Sequence, residues 1–189
     1  MMTARDSTVM NGKLRLLSLY GDLPASVRAR WAAGRIVRLA GPHWQTTSEM
    51  WKIDSLQVSE TIREMITNDA ADADVIIIAA SSLTQNEPAL IQLLNSLESC
   101  KNHRPFTGLL VGLLGDDEAP NVDLGCVVES LIHFAQLSDR DFIWHWMEKS
   151  AMDDPVWLAG SVEAVRANPT TGLVEAGADP RRPAYALAA

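Results

Sequence analysis

The side chains best suited to hold a ligand come in one run, Ser81-Ser82-Leu83-Thr84-Gln85-Asn86-Glu87-Pro88. Ser81, Ser82, Thr84, Gln85 and Asn86 supply neutral donors and acceptors of the kind that orient a planar polar ligand, and their neutrality argues against a metal. Any solvent-facing loop uses the same residue types. A second candidate is Gly21-Asp22-Leu23-Pro24. Its helix-start amides, near Asp22 and Leu23, lack intrahelical acceptors and could hold an anion. Neither a Gly-x-Gly-x-x-Gly nor a Walker loop is present, Asp22 would repel a phosphate, and a plain strand-to-helix connection needs the same glycine and proline. A third cluster, Asp116-Asp117-Glu118 with Asp123 nearby, offers oxygen ligands to a hard divalent cation. Acidic residues are also expected at a helix start, where they complement the dipole, and no twelve-residue calcium loop is spelled out.

The remaining reactive groups are dispersed. His43, His103, His133 and His145 fall in four separate segments. His145, between Trp144 and Trp146, could act as an acid or base against a bound ring, or simply hydrogen-bond within the fold while the tryptophans pack. There is no Gly-x-Ser-x-Gly elbow, and neither cysteine has an activating partner close in sequence.

The elements that must position these residues follow from hydrophobic periodicity. Val75 to Ala80 is an uninterrupted apolar run, as expected of a strand buried on both faces of a parallel sheet. Further strands are expected at 13–20, 44–53, 106–114 and 141–147, with helices at 25–39, 58–70, 88–97 and 122–137. The stripe Val58, Ile62, Met65, Ile66 and Ala70 is spaced to cover a sheet, and the polar interior of 44–53 suits an edge strand. Five strands alternating with four helices predict a doubly wound, five-stranded parallel sheet in a three-layer sandwich. Its carboxyl edge would gather the three loops.

Composition narrows the class. In 189 residues one domain, 13–150, follows a loose leader at 1–12 and precedes an extension at 151–189 that has too few packing residues to require order. A net charge of -8, with a pI near 4.9 and scattered basic residues, disfavours nucleic acid as a partner. No apolar run approaches the roughly 20 residues of a membrane span, and no signal-peptide core follows the first residues. Cys100 and Cys126 read as free thiols in a reducing compartment, so the expected location is cytoplasmic. Six tryptophans against two tyrosines leave room for a homodimer or protein partner at an aromatic surface carrying Trp144 and Trp146.

The unit Ala73-Asp74-Val75-Ile76-Ile77-Ile78, the loop from Ser81, then Pro88 and the helix through Leu97 resembles the flavodoxin-like superfamily, especially its FMN-dependent NAD(P)H reductases of the quinone or azo type. The resemblance implies a flavin whose isoalloxazine edge meets Ser81 to Asn86, whose phosphate meets amides from Leu23 to Ala25, and which stacks on Trp144 or Trp146. Where that family carries a serine-rich phosphate loop, this chain has Gly21-Asp22-Leu23-Pro24-Ala25-Ser26, and Leu83-Thr84-Gln85-Asn86 stands where an aromatic-asparagine-glycine segment is expected. Response-regulator receivers share the alternation, but the third strand here ends in Ala79-Ala80-Ser81 without a phosphoacceptor aspartate. The principal expectation is a flavodoxin-like binding or protein-interaction domain without chemistry of its own. A divergent FMN-dependent oxidoreductase is the alternative, and a receiver-like domain that cannot be phosphorylated is a minor one.

Overall fold

The isoleucine-rich run becomes strand β3, Val75–Ala80, and all six of its residues are buried. It pairs in parallel with β1, Gly12–Tyr20, from Leu16↔Val75 to Tyr20↔Ala79, and with β4, Gly108–Leu114, from Val75↔Leu109 to Ala80↔Leu114. In this computed structural model, which describes residues 12–81, 87–99, 108–115, 125–138, 140–146 and 174–175, β2 (Trp44–Lys52) lies outside β1 and β5 (Arg140–Trp146) outside β4. The strand order 2-1-3-4-5, parallel throughout, is that of a flavodoxin-like sandwich. A two-residue strand, β6 (Val174–Glu175), adds in parallel to the outer side of β5.

Alternation along the strands separates two cores. On one face, α1 (Leu23–Ala40) lays Ala25, Ala29, Ala32, Ala33 and Ile36 over Leu16, Val75, Ile77, Val111 and Ile143. Small alanines bring that helix close to the sheet. The other face is covered by α2 (Glu60–Asp72), α3 (Glu87–Ser99) and α4 (Gly125–Ser138). Ile66, Leu90, Leu93, Leu97, Leu131 and Phe134 pack there against Leu17, Leu19, Ile76, Ile78, Leu110 and Phe142.

Several boundaries move, each for a local reason. Strand β2 stops at Lys52, and a 3₁₀ helix, Ile53–Gln57, buries Ile53 and Leu56 beneath α2 and α3. Helix α2 begins at Glu60 because Ser59 caps it, its hydroxyl accepting from the Ile62 amide at 3.2 Å. Val58 is therefore outside the helix and 71 % exposed; Met65, at 49 %, also leaves the expected stripe, while Ile66 and Ala70 hold it. Helix α1 starts at Leu23, two residues early, because Asp22 is its cap. The edge position expected for 44–53 is the one β2 takes. No helix among the described residues is long and apolar enough to cross a membrane.

Candidate functional site

In this strand order the chain leaves β1 toward β2 on one side and returns to β3 on the other, so the carboxyl ends of β1 and β3 form the topological switch point. Gly21 extends the β1 ladder, its amide donating to the Ala79 carbonyl at 2.9 Å. Asp22 follows in extended conformation and turns its carboxylate back over the helix start. One oxygen, Oδ1, accepts from the Ala25 amide at 2.7 Å and from the Ser81 hydroxyl at 3.1 Å. The other, Oδ2, accepts from the Ser81 amide at 2.9 Å. Asp22 thus caps α1 and ties the first residue after β3 to it.

Arg28 completes the cluster from within α1. Only 7 % exposed, it donates from Nη2 to Ser81 Oγ at 2.8 Å. The hydroxyl receives one hydrogen bond from a cation and gives another to a carboxylate, so a single serine links two charges drawn away from water. At β4 the same rim is closed by Gly115, whose φ of 92° lets its amide reach the Ala80 carbonyl at 2.9 Å. At β2, Lys52 stands opposite Tyr20 in the register and pairs with Asp54. The hydrogen bond and charge of Asp54 hold the Lys52 ammonium above its ordinary pKa, with further contributions from Tyr20 and Asp22.

This arrangement fixes groups more than it frees them. Both oxygens of Asp22 are engaged by donors, which leaves its carboxylate poorly placed to accept a proton from a substrate. Of the described histidines, His43 lies in the turn before β2 and His133 on α4, while His145 is on β5, two strand spacings or about 10 Å from β3. None sits on the Asp22–Ser81 pair. His145 and Trp144 also point to opposite faces, since Trp144 packs half-buried against the larger core and neighbouring strand residues alternate. Gly112, directly across from Trp144, makes room for it, because a Cβ there would stand 3.1 Å from the tryptophan Cβ. The aromatic surface expected around Trp144 is therefore partly core.

Of the sequence-predicted residues, Asp22 and Ser81 are brought into direct contact, and Leu23 projects beside them at 78 % exposure. Ser82, Thr84, Gln85 and Asn86, the acidic cluster Asp116, Asp117, Glu118 and Asp123, and His103 lie outside the described residues. The Ala25 amide, expected to meet a flavin phosphate, donates to Asp22. Among the described residues no group of three His, Cys, Asp or Glu side chains could hold a metal ion. Arg28 was missed, although a signal existed: it shares the helix face of Ala25, Ala29 and Ala32, where a buried cation must find an acceptor. No protein-family model matches this chain, and no curated protein matches it.

Proposed function

We propose that this chain is a flavodoxin-like protein-interaction domain with no reaction of its own, its carboxyl edge serving as a contact rim for a protein partner. The observation that carries this reading is the closure of the switch point by Asp22, Ser81 and Arg28. In a sheet of this order a phosphate would be received by the amides at the start of α1. Here the Asp22 carboxylate already takes the Ala25 amide, and a phosphate dianion beside it would meet a like charge within hydrogen-bonding range. The residues at this position do not fit a flavin phosphate. Beside this closed cluster Leu23, the first residue of α1, is the most exposed large hydrophobic side chain described. An exposed leucine next to polar groups that already satisfy one another is compatible with a protein contact.

The discriminating experiment is a titration of the purified protein with FMN, followed by flavin fluorescence and by quenching of the tryptophans. No saturable change is expected, and no FMN-dependent oxidation of NAD(P)H. A one-to-one flavin complex would overturn the reading.

A further inference from the structure

Strand β2 ends the sheet on the side away from β3, so among the described residues no strand pairs with its outer edge. It is nine residues long, none of them buried, and it is matched to β1 over its whole length from Gly12↔Trp44 to Tyr20↔Lys52. The inner ladder holds the backbone extended while the outer groups face away from the molecule. Folded domains ordinarily blunt such an edge with lysine, proline, a bulge or short length, because it is a ready template for another strand. Trp44 to Trp51 contains no lysine, arginine or proline, and its register with β1 runs without a bulge. Threonine and tryptophan at four of its positions favour extended pairing. Charge points the same way: the chain carries -8, yet β2 has only Glu49 and Lys52 and is locally neutral. Two copies can approach along this strand without facing the repulsion of the remaining surface.

We infer that β2 pairs antiparallel with β2 of a second copy about a two-fold axis through Ser48, joining two sheets into one. The strand's own residues select that register. With Ser48 opposite itself all nine residues find a partner, and Trp44 falls across from the partner's Lys52 at both ends. Gln45 then meets the partner's Trp51, Thr46 its Met50 and Thr47 its Glu49, so no like charges stand opposed. An axis through Glu49 would place two carboxylates directly across from each other. The faces also agree, because Met50 belongs to the α1 side and Trp51 to the opposite side, and every pair in this register joins residues of one side. Each copy uses its edge once, so the assembly closes at two. One strand is a narrow contact, and the dimer is reversible. Ser48 sits in mid-strand, away from the switch point, so this pairing and the carboxyl-edge reading stand or fall separately.

Sedimentation velocity over a concentration series tests the pairing. The natural chain should double in mass as concentration rises. Ser48→Lys sets two ammonium groups across the axis and should weaken self-association at least about tenfold, with the circular dichroism and melting curve unchanged because Ser48 is exposed. Ser48→Cys should give a disulfide-linked dimer on mild oxidation that the natural chain does not, since directly opposed Cα atoms in an antiparallel pair are about 4.5–5.5 Å apart. A single monomeric species at every concentration would overturn the proposal. So would a dimer that Ser48→Lys leaves intact and Ser48→Cys does not cross-link, which would assign the contact to another surface.

Discussion

Asp22 shows how one side chain can settle what a sheet edge offers. An acidic residue ahead of a proline-containing helix start is an ordinary cap, and its bond to the Ala25 amide is a local one, although the expected helix, 25–39, began beyond it. Its two bonds to Ser81, fifty-nine positions away, were not, because they depend on β1 and β3 being neighbours. Asp22→Ala should therefore cost more than a cap alone, about 2–3 kcal/mol by urea denaturation, since it removes the cap and leaves the Ser81 amide without its acceptor. Asp22→Asn should lose roughly half of that, as the amide oxygen can still cap the helix. Equal losses for the two variants would mean that the cap bond contributes nothing, and no loss in Asp22→Asn would mean the same of the Ser81 tie. Leu23, immediately beyond, behaves oppositely: with its side chain in water, Leu23→Ser should shift stability by less than about 0.5 kcal/mol.

At the scale of elements, the amino edge of the sheet is locked as firmly as the carboxyl edge. Asp74, just before β3, exchanges backbone hydrogen bonds with Arg15 and Leu109, and its carboxylate accepts from the Arg15 amide at 2.8 Å. Gly108 opens β4 with a φ of 148°, and a Cβ there would stand 2.2 Å from the Asp74 carbonyl oxygen. Gly108→Ala should accordingly destabilise the protein by about 2–4 kcal/mol in thermal or chemical unfolding, combining a disallowed backbone with an overlap that only movement of β3 can relieve. Arg140 begins β5 only 4 % exposed, donating to the Ala73 carbonyl at 2.9 Å. Burial pushes its guanidinium down to about 10, opposed by the charge of Asp74, so it is still a cation at neutral pH. The folded value lies below the unfolded one, so the burial penalty is fully present below about 10 and is relieved as pH rises above it. The stability difference between the natural chain and Arg140→Met should then be flat between about pH 6 and 9 and move toward the natural chain only above that range. A slope within the neutral range would assign the effect to another group.

Over the whole molecule, protection should follow the layering. Amide hydrogen exchange is expected to be slowest in β3, enclosed by helices on both faces and by strands on both sides, and at least about tenfold faster in β2 when the protein is dilute. The order of the strands was not written in any one segment. What the amino-acid sequence determined by itself were the local matters: Val75 to Ala80 has no polar position to turn toward water, Ala25 to Ile36 repeats small apolar residues at helical spacing, and Gln45 to Glu49 is too polar for the middle of a sheet. Those patterns depend on neighbours along the chain, so periodicity reads them directly. The packing of the 3₁₀ helix beneath α2 and α3 and the burial of Arg28 came from contacts between segments far apart in the chain. Tertiary structure alone decided that the carboxylate of Asp22 would close on Ser81, because a hydrogen bond between two loops exists only once the strands beneath them lie side by side.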